Sequence, residues 1–511
     1  MKISEVLNGV YDRSVGWRPS SGAIKPVHIA NGLFRDLLSE QYDIKRTVAF
    51  AVPWRKKGDP EHDPKRTYQH LVEDTADPRL RAFRGQHFKD RFEKLREFTR
   101  GLLAADGAVF PQADYTSLTL SCRQMISQDR NDRDVGRFMA EILRGRGGNG
   151  TLAKVVADCL VEDSDRPRDP ISLLVWPLLS QDSNPIVRKS TRCSPHDSSE
   201  CREFFSRLEE AAHQLAGHEM QQGNRLATLQ RSVQFSCLAL IAHAQALSAG
   251  GVLAARSPLL LVPEAPKGSR LALASEESLN SYYDAIEDWL ALMLGRRIEK
   301  GEPVAYGSKD EDSEDVRLTL PATRKDSVRR FLADILTERG EPPKPDLMDE
   351  RMSLYERALV KHGRDDWAAV IGETLVQSYV HEYTSGGPRQ FLGGVGRKVG
   401  LVYPHFQGNS RDKRIRPSVA ILDVLVKCCT PTGEPIPLTV FLDRLWERFG
   451  IIVGGRQSSD GDDLALLRRR DIDVSPTDLE ENTQALVDEL VQVGLARRYP
   501  DNISYVGRYH V

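Results

Sequence analysis

The sequence predicts a mainly α protein with minor β, an α+β chain of several domains, and three observations carry that reading. At 511 residues the chain is too long for one hydrophobic core. Apolar residues recur at helical spacing over long stretches, whereas runs with strand character are short and few. Forty per cent hydrophobic against 28% charged residues is ordinary for a globular chain and excludes disorder of the whole.

Residues 1–145 are rich in Arg, Lys, Pro and Asp and read as a basic N-terminal α/β domain. Within it, residues 47–52 are expected as a buried strand. Residues 88–103 are expected as an amphipathic helix, with Phe88, Phe92, Leu95 and Leu102 at helical spacing and Lys94, Arg96 and Arg100 on other faces. The glycine-rich run 145–150 stops a helix and sets the first boundary.

Residues 146–382 then read as a central helical domain. Leu226, Leu229, Val233, Leu240 and Leu247 sit on a helix that is apolar around most of its girth, as a helix inside a bundle is. His243 on that helix reads as a hydrogen-bonded core histidine. Residues 257–262 and 270–274 are expected as two short strands around a turn at Pro266, with a helix starting behind Ser275. An acidic loop at 307–315 follows, then helices from about 324, from about 349, and over 365–381.

Charge and cysteine usage bound the function. Lys and Arg number 71 and Asp and Glu 73, a net charge of −2, so affinity for nucleic acid or membrane must come from a local patch. Seven cysteines are sparse and irregular, with Cys428 and Cys429 adjacent, which suits reduced thiols in a cytoplasmic protein. The most apolar stretch, 233–262, is interrupted by Gln234, His243, Gln245 and Arg256 and reads as buried structure rather than a membrane span. The start of the chain lacks the apolar core of a signal peptide.

The last hundred residues carry the clearest pattern. Helices are expected over 418–429, over 437–449 with Val440, Phe441, Leu445 and Trp446, and over 476–493 behind a cap at Ser475. A hairpin of residues 495–499 and 503–506 follows Gly494. Three helices and a two-stranded wing over 418–511 resemble the winged-helix variant of helix-turn-helix, although residues 454–473 are inserted where the family has a tight turn. In that family the third helix enters the DNA major groove and cations neutralise phosphates. Here the third helix holds Asp478, Glu480, Glu481, Asp488 and Glu489 and no Lys or Arg, and residues 456–489 sum to −6. Such a surface opposes a polyanion, so docking of protein partners is the favoured role. The wing, with Arg497, Arg498 and Arg508, is the part suited to a backbone contact.

The preceding segment, 383–417, reads as a basic, glycine-rich connection. Arg389, Arg397, Lys398, Arg411, Lys413, Arg414 and Arg416 face a single acid, Asp412, among glycines and the aromatics Phe391, Tyr403 and Phe406. That composition suits phosphate contacts and makes DNA or RNA binding the alternative function, with Lys94, Arg96 and Arg100 as a second basic patch. A basic linker neutralised by its acidic neighbour is the plainer reading.

Catalytic motifs fail one by one. Thr151 and Leu152 stand where a phosphate loop needs Lys and Ser or Thr. Gly394 to Gly400 misses the dinucleotide spacing, and His218-Glu219 and His381-Glu382 lack the second histidine of a zincin. Asp59, Glu61, Asp63 and Lys65 hold the letters of a metal-dependent nuclease, yet Pro60 and Pro64 argue against the strand it needs. Cys193, His196 and Cys201 have spacing for three zinc ligands, but no second paired-ligand knuckle accompanies them, so a metal-free loop is favoured. The balance is against an enzyme, with no cofactor expected.

Residues 396–404, leading into 441–450, are similar to segments of subunits from bacterial multigene anti-phage defence systems. The resemblance implies a place in a larger assembly rather than an activity. The sequence therefore predicts a non-catalytic scaffolding or adaptor subunit that docks protein partners.

Overall fold

A computed structural model gives a mainly helical protein with small sheets. The structure describes residues 1–20, 26–42, 94, 123–126, 132–160, 183–186, 192–197, 199–306, 315–384, 386–405, 413–458, 461–500 and 503–507. The expected strand at 47–52, the nuclease-like residues Asp59, Glu61, Asp63 and Lys65, the helix at 88–103 apart from Lys94, and the acidic loop before Asp315 lie outside them. Among the described residues no helix is long and apolar enough to cross a membrane, and no disulfide joins the six described cysteines. The chain divides into two compact units. One comprises Met1–Ile24, Ser190–Gln214 and Leu238–Val511, the other Lys25–Lys189 and Leu215–Cys237.

In the smaller unit, helices α1 (Pro26–Leu38) and α2 (Val135–Arg144) lie in close contact. A Cβ on Gly136 would come within 2.3 Å of the Gly32 backbone, so the crossing needs glycine. Asp132 accepts a hydrogen bond from the Gly136 amide at 2.6 Å, and burial pushes its carboxyl up to about 8. Helix α3 (Thr151–Leu160) packs on both, and strands β1 (Glu40–Tyr42) and β2 (Ser183–Pro185) pair antiparallel. Parts of α4 (Arg202–Gln222) and α5 (Arg225–Ser248) complete the unit; there Arg231 forks onto the buried Glu219 carboxylate at 2.6 Å.

The larger unit is organised around α6 (Arg270–Glu299), which follows strand β3 (Leu259–Leu260). This corrects the expected strand at 270–274, which is the first turn of α6. The Ser269 hydroxyl accepts the Ala272 amide and so caps the helix nearly two turns before Ser275. Ser275 and Ser278 then serve β3 from inside the helix: Ser275 Oγ donates to the Leu260 carbonyl at 2.7 Å, and Ser278 Oγ accepts the Leu260 amide at 3.0 Å.

Helices α7 (Lys325–Ala333), α8 (Pro345–His362) and α9 (Trp367–Glu382) follow. Gly295 of α6 and Gly372 of α9 bring those two helices together, since a Cβ on either would meet a carbonyl oxygen of the other helix within 2.2 Å. Residues 383–417 contain a helix, α10 (Pro388–Val399), and two short paired strands, β4 (Val402–Tyr403) and β5 (Arg414–Ile415).

The C-terminal stretch contains α11 (Val419–Cys429), β6 (Ile436–Pro437), α12 (Leu438–Phe449), β7 (Ile451–Ile452), α13 (Pro476–Gln492), β8 (Ala496–Arg498) and β9 (Ser504–Val506). Between β7 and α13 lie two more short paired strands, Gln457–Ser458 and Gly461–Asp462, and a short helix, Asp463–Arg468. The last two strands pair antiparallel, Arg497 opposite Tyr505, and β6 closes the sheet on the far side of β9. Strand β7 instead pairs in parallel with β3. The inserted stretch 454–473 supplies Leu466, Leu467 and Ile472 to a core with Trp446, Leu260, Ile452 and Leu479. Val440, expected to face inward, is 37% exposed, and Leu442 is buried instead.

His243 is buried on α5, as expected. Trp17 Nε1 donates to its Nδ1 at 3.3 Å, and the Phe205 ring lies 5.3 Å away. Burial pushes the imidazole down to about 3, so the folded protein holds it neutral. Below the unfolded value near 6.5, the unfolded chain takes up a proton that the folded chain refuses. Stability is then lost at about 1.4 kcal/mol per pH unit as pH falls towards 3. His243→Asn, which keeps an acceptor for Trp17, is expected to lose about 2 kcal/mol less than the parent between pH 6.5 and 5. Urea midpoints at the two pH values check this, and equal losses would refute it.

Candidate docking groove and basic pocket

Helix α13 has two chemically distinct faces. Its start is set by a capping box: Ser475 Oγ accepts the Asp478 amide at 3.1 Å while the Asp478 carboxylate accepts the Ser475 amide at 3.0 Å. Hydrogen bonds from Ser475 hold the Asp478 carboxyl below its usual range. Leu479, Leu486, Val487 and Leu490 face the core, and so does Asn482, whose amide donates to the Leu261 and Val453 carbonyls at 2.7 and 2.8 Å. With that stripe turned inward, 480, 481, 484 and 488 are left exposed.

That outer face forms one wall of a groove of about 1010 Å³. Pro437, Leu438 and Thr439 at the start of α12 contribute to the lining, together with Pro263, Glu264, Arg416, Ile503 and Ser504. Five carboxylates, Glu264, Glu480, Glu481, Asp488 and Glu489, thus line the groove with one cation, Arg416. Asp488 is bridged by Arg498 of β8 at 2.8 Å. Burial pushes the Glu489 carboxyl up; Arg416 pulls it down and Glu264 pushes it further up.

The basic residues of 383–417 divide among different tasks. Arg414 is buried, donates to the Ala265 carbonyl at 3.2 Å and stacks over Tyr403, so the fold has absorbed it. Arg416 lines the acidic groove. Lys398 is half-buried in the last turn of α10, where a cation complements the helix dipole. Arg411, like Arg96 and Arg100, lies outside the described residues; Lys94 is helical and exposed.

Arg389, Arg397 and Lys413 come together. They line a pocket of about 370 Å³ with Gln390, Gly393 and Gly394 of α10 and Glu276, Leu279, Asn280 and Tyr283 of α6. Arg389 bridges to Glu287 at 3.1 Å and to Asp284, and its guanidinium lies over the Tyr283 ring, 5.2 Å from the centroid. Sequence reading missed the α6 wall. Glu276, Asn280 and Tyr283 have the i, i+4, i+7 spacing of one helix face and fall inside the helix expected behind Ser275, but nothing local ties that face to a helix more than a hundred residues on.

Cys193 is half-buried and Cys201 buried, while the side chain of His196 lies outside the described residues. Among the described residues no group of three or more His, Cys, Asp or Glu side chains is arranged to hold a metal. No protein-family model, no curated protein and no solved structure matches this chain, so the groove and the pocket are read from their own chemistry.

Proposed function

We propose that this chain is a non-catalytic scaffolding or adaptor subunit whose winged-helix-like C-terminal part docks a cationic segment of a protein partner. Helices α11, α12 and α13 followed by the β8–β9 hairpin, with β6 closing the sheet, support the winged-helix reading, although two short strands and a short helix over residues 457–468 are inserted before α13. One observation carries the docking role. The outer face of α13, where a DNA reader of that family is cationic, instead lines a groove with five carboxylates and a single arginine. A phosphate backbone is repelled there, whereas a Lys- or Arg-rich segment finds complementary charge over an apolar floor. The setting belongs to the same proposal: a cytoplasmic, multiprotein assembly of the bacterial defence type, supported by the sequence of 396–404 and 441–450.

The test is binding of the full-length protein to a Lys/Arg-rich peptide, to its acidic counterpart and to duplex DNA. The basic peptide is expected to bind, and the double substitution Glu480→Lys with Glu481→Lys to weaken it about tenfold or more. Duplex DNA bound through the same face, lost on those substitutions, would overturn the reading.

A further inference from the structure

We infer that the pocket between α6 and α10 is a binding site for the phosphate group of a small ligand, a site separate from the groove along α13. Three cations from two stretches of chain converge on it: Arg389 and Arg397, about two turns apart on α10, and Lys413 from the residue before β5. Two guanidinium groups, one of them already held by carboxylates through its Nε and Nη2, and one ammonium suit an anion with several acceptor oxygens. Around them stand neutral groups that can hydrogen-bond the rest of a ligand, namely Asn280, Gln390 and the Tyr283 hydroxyl.

The backbone is shaped to keep this space open. Glycine in a helix interior costs about 1 kcal/mol relative to alanine, yet α10 carries Gly393 and Gly394 side by side on the pocket wall. A Cβ on Gly393 would come within 2.9 Å of the Tyr283 hydroxyl. Arg389 is also oriented in advance, because Asp284 and Glu287 hold it against the Tyr283 ring. Only Glu276 among the lining residues carries negative charge. Lys413 is the group under most electrostatic pressure: burial lowers its pKa first, Arg397 and Arg389 lower it further, and Glu276 opposes them. An anion in the pocket relieves that repulsion.

Size and layout favour a small molecule over a polymer. About 370 Å³ lies at the lower end of small-ligand pockets and exceeds what a lone phosphate fills. A nucleic-acid backbone asks instead for cations spaced along an open track, and the other described cations of this segment do not line the pocket: Lys398 is half-buried in the last turn of α10, Arg414 is buried and Arg416 lies in the acidic groove. Phosphate is the shared chemistry, and its source, free or esterified, is what the probes distinguish.

The experiment is calorimetric titration of the full-length protein, at fixed ionic strength, with inorganic phosphate, a nucleoside monophosphate, a nucleoside triphosphate and a hexose phosphate. Saturable one-to-one binding of at least one probe is expected; an ester bound tenfold tighter than inorganic phosphate identifies an esterified ligand, and the reverse order identifies free phosphate. Lys413→Gln and Arg397→Gln are each expected to weaken binding tenfold or more. Lys413→Arg should retain it, and Gly393→Ala should weaken it with no change of charge. Thermal melts of each variant keep a folding defect apart from a binding defect. Absence of saturable binding by every probe would overturn the inference. So would affinity unchanged in both glutamine variants, or binding confined to single-stranded DNA with a steep salt dependence.

Discussion

Arg351→Ala is expected to destabilise the larger unit by roughly 3–5 kcal/mol, because it strands a buried carboxylate. Arg351 on α8 is 1% exposed. Its Nε and Nη2 grip both oxygens of Glu382 on α9 at 2.6 and 2.9 Å, and its Nη1 donates to the Leu332 and Ile335 carbonyls at 2.6 and 2.7 Å. One guanidinium thus ties α8 to α9 and to the end of α7. It also fixes the strand-like chain after α7, where the Ile3 amide donates to the Leu336 carbonyl and the Leu336 amide to the Met1 carbonyl. Lysine has no fork and reaches only part of this set, so Arg351→Lys should recover a minor share. The double variant Arg351→Met with Glu382→Leu should recover most of the loss, since it removes both charges from the interior. Chemical denaturation of the three variants measures the pattern. A loss under 1 kcal/mol in Arg351→Ala, or a double variant as unstable as the single one, would show that the pair does not hold these helices.

Where structure is set by local chemistry, the sequence was readable. The C-terminal helices start where Ser418 and Ser475 cap them, and both caps bind the amide three residues on. The acidic face of α13 was legible for the same reason, as all but one of the groove carboxylates lie on a single helix. Misreadings arose where the deciding contact was distant or the pattern ambiguous. Leu271-Ala272-Leu273-Ala274 alternates like a strand, but Leu and Ala favour helix and Ser269 supplies the cap. The glycines of 383–417 suggested a connecting segment by composition, whereas Gly393 and Gly396 sit inside α10, where Tyr283 and Val402 crowd against them. Glu264 and the α6 wall of the basic pocket come from more than a hundred residues upstream, and no local pattern announces such pairings. The insertion at 454–473 was legible as a departure from the winged-helix pattern, but its place in the core was not. In the fold its leucines pack around Trp446, and Arg456 pairs with Asp463 at 2.8 Å beneath the same indole.

Asn482→Asp should make stability strongly pH-dependent, because Asn482 joins α13 to the chain that leaves β3 and β7. Its amide nitrogen donates to the carbonyls of Leu261 and Val453, residues that follow the paired strands β3 and β7. Its Oδ1 is buried with no partner among the described residues. Asn482→Ala removes both donors and leaves two buried acceptors short of a partner, a cost of about 2–4 kcal/mol. Asn482→Asp keeps the shape but points a carboxylate at two carbonyl oxygens, and about 4 kcal/mol or more should be lost at pH 7. Burial and the carbonyl dipoles raise the folded-state pKa of the introduced carboxyl above its unfolded value near 3.9. The folded state then binds the proton more tightly, so the variant is most stable in acid. Its stability falls by about 1.4 kcal/mol per pH unit as pH rises from about 4. Urea unfolding at several pH values, with the parent and Asn482→Ala in parallel, isolates this slope. Equal slopes in the three proteins would mean that the amide is solvated, and that α13 is held to the sheet by its leucines alone.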